Sequence, residues 1–144
     1  MATRDPLVPK RIRPQILLVE AERMLRRTIS KFLERSGYQV TACADLVTAS
    51  GALTRESGGP SLIVLGARAL DGDTADTAWR LRDLAPEVPM LGIADVPYDD
   101  GGQEPSLPEN LRFLAPPFDM PDVLRAVRSL LQQAGFEGPL ELET

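Results

Sequence analysis

Apolar residues fall into two alternating patterns along this chain. Ile16-Leu17-Leu18-Val19 and Leu62-Ile63-Val64-Leu65 are short unbroken runs, the pattern of strands buried on both faces of a parallel sheet. After the first run the period changes. Leu25, Ile29, Phe32 and Leu33 share one helical face, while Arg26, Arg27, Lys31, Glu34 and Arg35 mostly turn away. Gly37 is placed to close that helix as a C-cap, and Tyr38 to Cys43 reads as a second strand with Val40 and Ala42 on one side. Asp45 is a suitable N-cap for a second helix carrying Leu46, Ala49 and Leu53, which Gly58-Gly59-Pro60 terminates. A third helix is predicted from about Thr74 to Leu84, with Ala75, Ala78, Leu81 and Leu84 on its apolar face. Met90 to Ala94, interrupted by Gly92, and Leu111 to Ala115 read as further strands. Pro121 opens a last helix whose inward positions are Val123, Leu124, Val127, Leu130 and Leu131.

Strands alternating with helices at these lengths predict an α/β fold, a doubly wound five-stranded parallel sheet with helices on both faces. Right-handed crossovers restrict its topology. The working site of such a sheet lies at the carboxyl ends of its strands, which brings Glu20, Gly66, Ala94 and the residues after Leu114 to one edge. Between Ala94 and Leu111, three prolines (Pro97, Pro105, Pro108) and Gly101-Gly102 occur with no helical apolar face, so an irregular loop or a single turn is expected. The chain divides into a flexible basic arm (1–13), one folded domain (14–134) and an acidic tail (135–144), with no internal repeat.

Composition narrows the chemistry more than the fold. With 144 residues and a hydrophobic fraction of 43%, the chain can bury a core without disulfides. Nothing approaches the roughly 20 apolar residues of a membrane span, and Met1 to Pro14 lacks the apolar stretch of a secretory signal. A cytoplasmic location is expected. Cys43 is the sole cysteine, which excludes an internal disulfide and a thiolate metal site. The chain has no histidine, which removes imidazole acid–base catalysis, Ser-His and Cys-His pairs and imidazole–zinc sites together. The net charge of −5 gives no general reason to expect nucleic acid. Arg4, Lys10, Arg11 and Arg13 cluster locally and read as a solvated arm, the alternative being contact with an acidic partner. No G-x-G-x-x-G or P-loop follows any strand. Acidic residues without a base, a nucleophile or a metal frame define no reaction, so no enzyme activity, cofactor or metal is expected.

Ile16-Leu17-Leu18-Val19-Glu20-Ala21-Glu22 resembles the opening strand and acid pair of response-regulator receiver domains. Gly37-Tyr38-Gln39-Val40, Pro60 to Leu65, Val88-Pro89 and Pro117-Phe118 follow at receiver-like intervals. The resemblance spans roughly Pro14 to Gln133. It implies a flavodoxin-like, CheY-like fold and a place in two-component signal transduction or a phosphorelay. It also implies functional positions, and there the chain departs from the family. The acid pair that binds Mg²⁺ in receivers reads Glu20-Ala21, with Glu22 one residue further; the acceptor aspartate is replaced by Gly66, the switch hydroxyl by Ala94 and the phosphate-binding lysine by Pro116. Nucleophile, hydroxyl and cation are all missing, which predicts a degenerate phosphorylation pocket formed by Glu20, Ala21, Glu22, Gly66, Ala94 and Pro116, without a specific Mg²⁺ site. Glu20 and Glu22 are read as solvated acids at a loop and a helix N-terminus. Asp71 and Asp73, flanking Gly72, read as a turn and cap rather than a substitute acceptor. A further reading has Arg68 entering the vacated pocket and pairing with Glu20.

These readings converge on a pseudo-receiver, a phosphorylation-independent protein–protein interaction module in a two-component-type pathway. The expected contact surface is the 95–110 loop, the fifth strand and the last helix, with Tyr98, Leu111, Phe113, Phe118, Arg125 and Arg128 as candidates. Phe113, at the receivers' aromatic switch position, is expected in the core, the alternative being a cap on a contact surface. The partner is a signalling protein, with a homodimer open and neither nucleic acid nor membrane expected. The alternative is a small-molecule or metal-sensing domain that uses the gap left by Gly66 and Ala94 beside Glu20.

Overall fold

The computed structural model describes residues 13–55, 59–66, 74–93, 107–115 and 117–136. Along the chain the elements are β1 (Gln15–Val19), α1 (Arg23–Arg35), β2 (Gln39–Cys43), α2 (Leu46–Arg55), β3 (Leu62–Gly66), α3 (Thr74–Leu84), β4 (Met90–Ile93), β5 (Leu111–Phe113) and α4 (Met120–Gln133). The strands form one parallel sheet in the order β2-β1-β3-β4-β5. Strand order reverses between β1 and β3, the position where doubly wound sheets open a crevice at their carboxyl edge.

Strand side chains alternate between faces, and each face is closed by helices. Ile16, Leu18, Leu62, Val64, Leu91 and Ile93 pack with Ile29 and Leu33 of α1 and with Val123, Val127, Leu130 and Leu131 of α4. Leu17, Val19, Ile63, Leu65 and Met90 pack with Ala49 and Ala52 of α2 and with Ala78 and Leu81 of α3. Helix ends follow local chemistry. Glu22 caps α1, Asp45 accepts from Thr48 N ahead of α2, and Asp119 and Asp122 form a reciprocal capping box on α4. Gly37, at φ 103°, supplies the left-handed residue just past α1.

Two features of α3 differ from expectation. Leu84, assigned to the apolar face, is 43% exposed, because the inward line runs through Ala78, Leu81, Arg82 and Ala85 at helical spacing. That line carries Arg82, a buried cation. Its guanidinium donates to the carbonyls of Ala85, Pro86, Val88, Glu109 and Asn110. It therefore joins the α3–β4 turn to the approach to β5, at the amino-terminal edge of the sheet. Burial lowers its pKa from the ordinary arginine value. No described helix is long and apolar enough to cross a membrane.

Candidate functional site

The carboxyl edge of β1 and β3 is shaped by one long side chain and one missing side chain. Pairing of β1 with β3 runs from Ile16↔Leu62 to Val19↔Leu65, so one further step sets Glu20 beside Gly66. The Glu20 N–H donates to the Cys43 carbonyl at 2.9 Å, which continues the β1–β2 ladder through this residue. Glu20 is 0% exposed. A Cβ on Gly66 would lie 1.7 Å from Glu20 Oε1 and 2.6 Å from its Cδ, separations no real side chain tolerates. The Glu20 carboxyl group thus occupies the space that a third-strand side chain would fill.

The loop after β1 is tied to this arrangement. Glu20 Oε2 accepts a hydrogen bond from Glu22 N at 2.7 Å. Arg26 Nη1 donates to the carbonyls of Glu20 at 2.9 Å and Ala21 at 3.3 Å. Glu22 Oε1 accepts from Leu25 N at 2.9 Å, so this exposed acid is used as the helix cap. Ala21 is exposed between them. Two expectations are corrected. Glu20 is buried rather than solvated, because Gly66 leaves room beside it. Arg26, expected to face away, is half-buried and folded back onto the loop. Glu22 keeps the solvated, helix-terminal placement expected of it.

Among the described residues, no group of three or more Cys, Asp or Glu side chains is placed to hold a metal ion. Ala94 and Pro116, together with Arg68, Asp71, Asp73 and Tyr98, lie outside the described residues, as do the 95–106 part of the loop, residues 1–12 of the arm and residues 137–144 of the tail.

Of the remaining candidates for a partner surface, four are half-buried and one is exposed. Leu111 packs at the margin of the α2/α3 core and Phe118 at the margin of the α1/α4 core. The Phe113 ring lies over Gly92, where a Cβ would come within 2.6 Å of its Cε1. Phe113 is half-buried and belongs to neither core cluster. Arg125 is exposed and paired with Asp122 on its own helix, and Arg128 is half-buried. Residues that sequence reasoning missed are Arg82, two of whose carbonyl partners come from a distant loop, and the exposed Met24 (69%) and Val47 (82%), in the first turns of α1 and α2 at the carboxyl edge.

No protein-family profile matches the chain, and no curated protein is similar to it in sequence. Solved structures are similar in shape. The receiver domain of the hybrid histidine kinase CckA matches with a TM-score of 0.65 at 24% identity, over 82% of this chain and 99% of that domain. A CheY-like receiver domain protein from Methanospirillum hungatei matches with a TM-score of 0.67 at 15% identity, over 84% and 95% of the two chains. The chemotaxis protein CheY4 of Vibrio cholerae matches with a TM-score of 0.68 at 18% identity, over 82% and 98%. Strand order, the two helical layers and these likenesses agree: the chain has the fold of the CheY-like response-regulator receiver domains.

Proposed function

We propose that this protein is a phosphorylation-independent receiver, working as a protein–protein interaction module in two-component-type signal transduction. The observation that carries the reading is the exchange at the carboxyl edge: Gly66 offers no nucleophile, and the Glu20 carboxyl group fills the space beside it. Aspartyl phosphorylation changes a receiver by adding charge that new hydrogen bonds can read. With the acceptor position empty and its surroundings filled from β1, that input has no entry point. Information then passes through a partner that binds one state of the surface better than another.

The filled site also weighs against the sensing alternative. A ligand pocket beside Glu20 requires the gap at Gly66 to be open, and Glu20 Oε1 stands in it. Intact-mass measurement after incubation with acetyl phosphate and Mg²⁺ tests the proposal. An unmodified chain supports it, and a stable phosphoryl adduct on any carboxylate refutes it.

A further inference from the structure

We propose that a groove along the amino-terminal edge of the sheet is the seat of the chain's own basic, proline-punctuated arm, residues 6–12. This seat lies at the opposite end of the strands from Glu20 and Gly66 and is independent of the interaction-module reading. In a parallel sheet each crossover helix runs back along the strands, so α2 and α3 both end at the amino-terminal edge. Their last turns leave a near cleft of about 360 Å³ between Leu53, Pro60, Leu84 and Pro86. A far cleft of about 740 Å³ opens between Trp79, Pro86, Pro108 and Asn110. Pro86 and Glu87 line both, which makes them one continuous channel. Leu84 (43%) and Trp79 (41%) stand open in it, two of the four large hydrophobic side chains exposed among the described residues.

The rim of this channel is negative. Glu87 and Glu109 line it and are exposed. The carboxyl-terminal ends of α2 and α3 add the partial negative charge of their last carbonyls. Among the described lining residues the one cation is Arg82, which is buried and already engaged by five carbonyls. The channel therefore suits a segment that is both basic and apolar.

The arm has that chemistry and starts at the right place. Gln15 N donates to Ser61 Oγ at 3.3 Å, so the chain enters β1 next to Pro60 and the near cleft. Backward from there come Arg13, Arg11 and Lys10, then the run Pro6-Leu7-Val8-Pro9, with Asp5 the lone acid before β1. A strand spacing of about 4.8 Å puts β4 roughly 10 Å and β5 roughly 14 Å from β1. Twelve residues of extended, polyproline-like chain cover up to about 37 Å, which is ample. Lys10 and Arg11 then meet Glu87 and the helix ends, and Leu7 and Val8 reach Trp79. Prolines with φ already fixed reduce the entropy lost on docking. A second copy's arm carries the same groups but lacks the tether, which favours the chain's own.

Trp79 is the chain's sole tryptophan, so fluorescence of the full chain reads the far cleft alone. The short tether holds the arm at a high effective concentration, and releasing it with Leu7→Ser/Val8→Ser should raise acrylamide quenching roughly 1.5- to 2-fold and shift emission to the red. Lys10→Glu/Arg11→Glu should do the same, and adding Glu87→Lys/Glu109→Lys to that variant should restore protection. Added salt should raise quenching in the parent, and Arg27→Gln, on α1, should change nothing. Equal quenching in the parent and the arm variants would overturn the proposal. So would failure of the charge reversal to restore protection, or protection that grows with protein concentration, as docking on a second copy would give. None of these outcomes bears on phosphorylation, which the acetyl phosphate experiment decides separately.

Discussion

Placing a methyl group on Gly66 tests the filled site most simply. In an ordinary strand Gly→Ala gains about 0.5–1 kcal/mol, because glycine loses more backbone freedom on folding. Here the new Cβ would meet Glu20 Oε1 at 1.7 Å and Cδ at 2.6 Å, so the sign should reverse. Two relaxations are open. Glu20 can stay, with overpacking that costs roughly 1–3 kcal/mol. Alternatively it can swing out and forfeit its 2.7 Å bond from Glu22 N, and leaving a donor unsatisfied also costs about 1–3 kcal/mol. Net of that gain, either route predicts that Gly66→Ala lowers stability by up to roughly 2.5 kcal/mol, or up to about 10 °C in Tm for a domain of this size. Pairing it with Glu20→Ala removes the obstruction, so a double-mutant cycle in urea should give a favourable coupling of at least ~1 kcal/mol. A neutral or stabilising Gly66→Ala that adds independently to Glu20→Ala would show that the Glu20 side chain does not occupy this space.

Arg82→Met should destabilise by at least ~2–4 kcal/mol in urea titration, since it orphans carbonyls of Ala85, Pro86, Val88, Glu109 and Asn110; Arg82→Lys should not restore it. Gly92→Ala should cost about 1–3 kcal/mol by pressing on the Phe113 ring, and Phe113→Ala should relieve it. The Asp45 carboxyl is held below its ordinary value of 3.8, chiefly by the hydrogen bond from the Thr48 backbone. A depressed folded-state pKa contributes stability that is present above the unfolded value and is lost as pH falls through the folded one. Asp45→Asn should therefore be less stable than the parent at neutral pH, with the difference closing below about pH 3.8 in pH-dependent urea melts.

Much of the architecture was legible because it is written locally. Ile16 to Val19 and Leu62 to Leu65 carry the unbroken apolar pattern of doubly covered strands, and the caps at Asp45 and Gly37 announce their helix ends. The missing carboxylate at Gly66 was equally plain. What fills its place was not. Glu20 and Gly66 become neighbours only through the β1–β3 register, which joins residues far apart in sequence, and an acid after a strand is ordinarily solvated. Arg82 escaped for a related reason: two of its acceptors, Glu109 and Asn110, arrive from a distant loop. Leu84 was misplaced because the period alone did not show that Ala85 continues the inward line.

The central claim is that the receiver fold persists here without the receiver's covalent input. The most direct measurement is an amide NMR titration with Mg²⁺ and then with beryllofluoride, which mimics a bound phosphoryl group. The account predicts spectra that do not change around Glu20 and Gly66 at either step. Saturable shifts centred on Glu20, Gly66 and the β1–α1 loop would show a working acceptor pocket and contradict it.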